Sequence, residues 1–340
     1  MNTQIERQIK SFWNNHSARV STYGFLIMFI ISLCSHFIAN DKPLIIRYNN
    51  QFYFPIVKHY PATEFGGKLS SSTDYLSPHI QEAINKNGWF IMPIIPYSYD
   101  THDFQSTQAQ PAPPNLKRQH YLGTDDQGRD ILARILYALR INISFGLTLT
   151  ALSLIIGVSV GAIQGYFGGM VDLLGQRMIE IFSGMPTLYL LIILSSFMQP
   201  SFLGLLGVML IFGWIKFVGV VRAEFLRARN LDYVKAAKTL GVNNSTIIFR
   251  HILPNAVVAT ITYLPWNLIG GIMSLTSLDF LGFGMPIGSA SLGEMMSQAK
   301  MNLHAPWIGI SIFIVIFLLL CSLVFIGEGL RDAFDPHGDN

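Results

Sequence analysis

An all-α membrane protein with six crossings and one small, loop-rich insert outside the membrane is the architecture that this sequence predicts. Hydrophobic residues fill 51% of its 340 positions and charged ones only 13%, with a mean hydropathy of +0.40; ordinary soluble domains carry about 25% charged residues. Stretches apolar enough to cross hydrocarbon, which takes about 20 residues for roughly 30 Å, fall at 20–39, 141–165, 178–198, 202–221, 256–278 and 307–327. A polar, basic island at 222–255 separates the fourth window from the fifth.

Charge sets the expected topology. Arg7, Lys10 and Arg19 precede the first window, and Arg222, Arg227, Arg229, Lys235, Lys238 and Arg250 crowd the island, so both segments belong in the cytoplasm. Six crossings then leave 1–19 and 328–340 as cytoplasmic termini and put the loops after windows one, three and five outside. The first window is too long for the 7–15-residue core of a cleaved signal peptide, and no small-x-small site follows it. Gly184-Met185-Pro186 interrupts the third window, a break tolerated where neighbouring helices satisfy the freed backbone.

The insert, 41–118, holds nine of the sixteen prolines. Asn49-Asn50 between Ile45-Ile46-Arg47-Tyr48 and Gln51-Phe52-Tyr53-Phe54 predicts a hairpin. Ser77-Pro78, His79 to Asn87 and then Gly88 predict a short capped helix, and Gln110-Pro111-Ala112-Pro113-Pro114 an extended tract. Phe52, Tyr53, Phe54, Trp89 and Phe90 supply a small aromatic core or a docking patch. From 119 to 140, apolar positions 131, 132, 135, 136 and 139 make one helical stripe, with Arg129, Arg134 and Arg140 turned to water or headgroups. That pattern predicts an amphipathic elbow along the outer membrane surface before the chain turns inward at 141.

Several function classes are excluded by the same residues. Cys34 and Cys321 both fall inside windows, so no disulfide framework exists, and the nine histidines lack the spacing of a zinc site. A net charge of +3 is too small for a nucleic-acid binder. Gly157-Val158-Ser159-Val160-Gly161 matches a hydrolase elbow in letters but lies mid-window; with Gly165 and Gly169 it forms a four-residue small ridge suited to close helix packing. Gly66-Gly67-Lys68 is followed by Leu and opens no helix, so the chain has no phosphate loop of its own. No acid, base and ligand set converges at one depth, as a membrane-embedded enzyme requires, and only the Pro186 break hints at a secondary transporter.

The island itself reads as a helical hairpin. Asp232 is placed to cap a helix over Tyr233-Val234-Lys235-Ala236-Ala237-Lys238-Thr239-Leu240, Gly241 to end it in a left-handed conformation, and Asn243, Asn244 or Ser245 to cap the next, which runs through Phe249-Arg250-His251-Ile252-Leu253 to Pro254. Small Ala236 and Ala237 allow close approach of another surface. This hairpin resembles the coupling loop of ABC-importer permeases, an E-A-A-x-x-x-G motif followed by a run ending in Leu-Pro, with Lys235 standing where the family places its acid. Leu122-Gly123-Thr124-Asp125 with Gly128-Arg129-Asp130, and Phe280-Leu281-Gly282-Phe283-Gly284, resemble the dipeptide and oligopeptide branch. With 219–226 and the ending Arg331-Asp332-Ala333-Phe334-Asp335-Pro336, the chain is identified as a member of the peptide-importer permeases, similar to their Yej-type group.

The resemblance implies a permease subunit that moves peptides or peptide-like compounds across the inner membrane. It implies no cofactor in this chain, with ATP and Mg held by two partner ATPase domains, separate or fused. A second permease in a heterodimer and a periplasmic substrate-binding protein complete the implied assembly. Asp232, Tyr233, Lys235, Ala236, Ala237, Gly241, Arg250, His251, Leu253 and Pro254 become the ATPase-coupling residues. Lys216, Asp279 and Glu294 are weighed for the substrate path, because a charge in hydrocarbon costs a few kcal/mol. Snorkelling of Lys216 and satisfied loop carboxylates at Asp279 and Glu294 are the plainer alternatives. Asp172, Arg177 and Glu180, near the inner mouth of the third window, are spaced to pair along a helix at three- to five-residue steps.

Overall fold

The computed structural model describes residues 2–67, 72–103, 109–286 and 288–334. Lys68, Asp335 and Pro336 lie outside the described residues. Among the described residues, four helices are long and apolar enough to cross a membrane: span one (His16–Leu33), span two (Ile131–Phe167), span four (Phe202–Ala228) and span six (Pro306–Phe334). Two bent pairs complete the set of six. Span three joins Gly169–Ser183 to Thr187–Ser196 at 78°, and span five joins Asn244–Ile261 to Leu264–Phe280 at 57°.

Both bends have a local cause. Pro186 and Pro265 cannot donate a backbone N–H to the fourth residue before them, so each sits at the start of the second half of its pair. Pro186 lies in the interruption expected from sequence, whereas the bend at Thr262-Tyr263 breaks a window read as continuous.

Span two departs most from expectation. Its 37 residues run without a break from Ile131 to Phe167, about 55 Å at 1.5 Å per residue, so the separate elbow expected over 119–140 is corrected: 119–130 are turns and loop, and 131–140 are the first turns of one helix. No Gly or Pro interrupts 131–145, and Asp130 starts the helix by accepting the Ala133 N–H at 2.8 Å. Ile131, Ile135, Leu136 and Leu139 are buried in the main core with Leu268, Ile272, Ile308 and Leu319 of spans five and six. A helix already surrounded by packed neighbours has no reason to lie flat on a lipid surface.

Span one is peripheral. It is preceded by a helix, Asn2–Asn14, that the sequence reading did not anticipate; Phe12 packs there with Ala18 and Ala333.

The insert is a three-stranded antiparallel sheet in the order β2–β1–β3, with β1 Ile45–Tyr48, β2 Gln51–Tyr53 and β3 Gly88–Ile91, backed by the helix Pro78–Asn87. Asn49 and Asn50 both take positive φ, 49° and 61°, as a two-residue hairpin turn demands. The core is Ile46, Tyr48, Phe65, Tyr75, Ile80 and Ile84. Of the five aromatics expected there, only Tyr53 and Phe90 pack against it, while Phe52, Phe54 and Trp89 are exposed. The period of two along each strand sends alternate residues to opposite faces, so consecutive aromatics cannot all point inward.

Candidate functional site

The hairpin between spans four and five is built from ordinary helix-ending rules. Its first arm, Asp232–Thr239, starts with Leu231 at the cap position; Asp232 is the first helical residue, where a carboxylate favours the helix dipole, and its side chain makes no cap bond. Gly241 takes φ +74°, donates to the Lys238 carbonyl at 3.0 Å, and lets Val242 donate back to the Ala237 carbonyl at 3.0 Å. That pair of reversed bonds closes the arm. Asn243 then accepts from the Ser245 N–H at 3.4 Å and starts the second arm.

The second arm is not a free helix. Asn244–Thr246 passes into a π-helical stretch, Ile247–Ile252, and on into Leu253–Ile261, the first half of span five. Pro254 removes the donor that would have bonded to Arg250, and the widened turn ahead of it accommodates the loss. Arg250 and His251 sit on this wide turn, with Leu253 and Pro254 at its exit.

One face of the hairpin is packed and the other is open. Val234, Ala237, Ile247 and Ile252 are buried against Ala162 and Tyr166 of span two and Val221, Phe225 and Ala228 of span four. Ala237 therefore lines the docking seam and not, as expected, the free surface; only Ala236 of the pair is exposed. Tyr166 bridges both arms: its hydroxyl donates to Asn244 Oδ1 at 2.6 Å, and the Lys238 ammonium stands 4.7 Å from its ring centroid. Arg229 donates to the Gly165 carbonyl at 3.3 Å.

The open face presents Asp232, Tyr233, Lys235, Ala236 and Arg250, together with two apolar residues the sequence reading passed over. Leu240 is 82% exposed and Phe249 is 67% exposed. A signal was available for Phe249, two positions from buried Ile247 and so on another side of the turn; Leu240, three positions after buried Ala237, carried none, and its exposure follows from its place at the end of the arm.

Span two carries the seam upward on its glycines. A Cβ on Gly157 would stand 2.6 Å from Phe217 Cβ, one on Gly161 2.9 Å from Val221 Cβ, and one on Gly165 2.5 Å from Phe225 Cβ. The three thus bring the backbones of spans two and four into direct contact. Gly169, the fourth of the ridge in sequence, lies beyond the helix end with open space around it. Asp172 does not pair along its own helix; it accepts from Arg222 Nε at 2.5 Å and Nη2 at 2.8 Å, tying span three to span four, while Arg177 pairs with Glu180 at 2.6 Å.

At the opposite end of span two the charges are buried. Arg129 and Arg134, expected at headgroups, are 2% and 0% exposed. Asp125 accepts from the Gln127 N–H, the Arg129 N–H and Arg129 Nε at 2.8–2.9 Å, and Glu294 accepts from Arg134 Nη2 at 2.9 Å and Arg129 Nη2 at 3.2 Å. Arg140, half-buried, stacks over Tyr137 with 4.9 Å to the ring centroid. Glu294 lies on the helix Leu292–Met301, so the cluster staples the start of span two to the segment between spans five and six.

Asp279 serves a similar end in the last turn of span five, accepting from Ser291 Oγ and the Met285 N–H, each at 2.6 Å. Cβ atoms on Gly284 or Gly293 would collide with Asp279 or its backbone neighbours, which explains the glycines of this run. Asp279 and Glu294 are thus held by this chain's own donors. Lys216 is different: it is exposed midway along span four and makes no ion pair among the described residues.

Comparison with known proteins agrees with this arrangement. The family described as "Binding-protein-dependent transport system inner membrane component" matches residues 141–337. The chain is 53% identical over 326 residues to the inner membrane ABC transporter permease protein YejE of Escherichia coli (strain K12), covering 96% of this chain and 95% of that protein. It is 50% identical to the peptidoglycan transport system permease protein YejE of Agrobacterium fabrum, covering 97% and 92%, and 33% identical to the oligopeptide transport system permease protein OppC of Bacillus subtilis, covering 72% and 81%. A chain of the MetNI methionine ABC transporter in an inward-facing conformation has the same fold at TM-score 0.50 and 14% identity, covering 60% of this chain and 98% of that one. A chain of six apolar spans carrying a docked polar hairpin, matched over most of its length by such relatives, belongs to the family of binding-protein-dependent transport system inner membrane components, the permease subunits of ABC transporters.

Proposed function

We propose that this chain is one of two permease subunits of an importer that brings peptides or peptide-like compounds from the periplasm into the cytoplasm. The relatives named for oligopeptide transport and for peptidoglycan transport support that substrate class. In this reading 222–255 and both termini face the cytoplasm, and the insert with the Asp125–Glu294 cluster faces the periplasm. ATP and Mg are bound by two ATPase domains on other chains, and a periplasmic binding protein delivers the substrate.

One observation carries the mechanism: the hairpin is packed on spans two and four, continuous with span five, and open only on the face bearing Tyr233, Lys235, Ala236, Leu240, Phe249 and Arg250. A lever needs a rigid attachment and a free handle. An ATPase pair that closes around nucleotide displaces the handle, and spans four and five tilt with it. The shift is driven by the difference in contact with the two ATPase states. Lys235 in place of an acid means that any ion pair at this position uses a carboxylate of the ATPase.

Gly241→Val tests this reading. Forcing a β-branched residue into positive φ costs about 1–2 kcal/mol and alters the exit angle of the first arm. Uptake is expected to fall with ATP hydrolysis retained and membrane levels of the protein near normal. Unchanged uptake by Gly241→Val and by Ala236→Trp on the open face refutes the lever. Affinity purification of the tagged chain is expected to bring down two ATPase domains and a second permease.

A further inference from the structure

Lys216 is the one ionisable residue of span four that the packing leaves unexplained. It is residue 15 of the 27 in Phe202–Ala228, well short of the polar end that begins at Arg222. Every Cα–Cβ bond of a helix tilts toward its N-terminus, so the side chain leads away from Arg222 and deeper into the span. Its Nζ accordingly lies beside Gly270 of span five, 3.3 Å from where a Cβ on that glycine would stand. Any larger residue at 270 would crowd the ammonium.

The acids carried by spans three and five are already engaged. Asp172 is held by Arg222, Glu180 by Arg177, and Asp279 by Ser291 and the Met285 N–H. Ionisable groups inside membrane spans face a cavity or a partner charge. One turn on from Lys216, on the same side of span four, is Gly219, around which a Cβ would meet nothing within 4 Å. The ammonium therefore stands exposed on the outside of this subunit, and no carboxylate among the described residues pairs with it.

We infer that Lys216 lines the transport path and receives a carboxylate of the passing substrate, so that the permease distinguishes compounds bearing a free terminal carboxylate from neutral ones. The inference rests on the peptide reading above. Every linear peptide carries such a group whatever its side chains, so one lysine can act on peptides of any sequence. Spans four and five are the two helices joined by the hairpin, so its displacement changes the gap between Lys216 and Gly270 and with it the hold on the anion.

The test uses the complete transporter, with its ATPases and binding protein, reconstituted in vesicles. A labelled tripeptide with neutral side chains is supplied with a free C-terminus and as its C-terminal amide. Wild type is expected to import the free acid about tenfold faster than the amide, the size of one charge-assisted hydrogen bond. Lys216→Met is expected to collapse that ratio to about one, chiefly through the KM for the free acid, and Lys216→Arg to restore most of it. A ratio unchanged in Lys216→Met overturns the inference, as does loss of the second permease from purified Lys216→Met complex, which would make the lysine an intersubunit ion pair. Import of neither peptide by wild type overturns the peptide reading itself.

Discussion

The two ends of span two are held by opposite kinds of force. At Ile131 the helix is fixed by a buried, directional cluster in which Asp125 and Glu294 share two arginines. At Phe167 it is held by apolar close packing, with Gly157, Gly161 and Gly165 against span four and Tyr166 against the hairpin. A charge cluster tolerates little displacement, because breaking one pair leaves an uncompensated charge in low dielectric. Glycine seams have no interlocking side chains to lift past one another, so helices can shear along them. The contrast assigns the first end to anchorage and the second to motion.

The largest effect is expected where the anchor is cut. Asp125→Ala removes the acceptor for Arg129 Nε and two backbone donors and leaves Arg129 and Arg134 sharing only Glu294, at a cost of about 3–5 kcal/mol. Thermal unfolding of the detergent-purified complex should show a large loss; a shift indistinguishable from wild type would mean that the cluster anchors nothing. Gly161→Leu comes next. Overpacking typically costs about 1–3 kcal/mol, and here it would push span four off span two; we expect the protein to reach the membrane with uptake lost before folding is.

The smallest change addresses the bridge between seam and hairpin. Tyr166→Phe keeps the ring under Lys238 and deletes only the bond to Asn244, worth about 1 kcal/mol. Coupling efficiency, measured as substrate imported per ATP hydrolysed, is expected to fall severalfold with little change in melting temperature. If Asp125→Ala impaired coupling at full stability while Tyr166→Phe destabilised the fold, the roles given to the two ends would be reversed.

The hairpin was legible in sequence because its determinants are local. Gly241 ends the first arm through residues at most five positions away, and Asn243 starts the next through Ser245. The buried arginines were not legible. Arg134 and Glu294 are 160 residues apart, and a basic residue beside an apolar stripe looks the same whether it meets a headgroup or a carboxylate from a distant helix. The side to which Ala237 turns was not legible for a related reason, since small size permits close approach on either face and only the packed neighbours say which.

The amino-acid order alone determined that this is a membrane chain, where its apolar windows lie, where prolines and glycines end its helices, and that a basic polar hairpin joins two of the windows. All of these follow from hydropathy and from backbone rules acting within a turn or two. Only the tertiary structure decided that span two runs straight through the expected elbow, that Asp125, Asp172, Asp279 and Glu294 serve as internal partners, and that Lys216 has no such partner among the described residues. Those outcomes depend on which helices meet at which depth, and pairing between distant segments leaves no periodic trace in either of them.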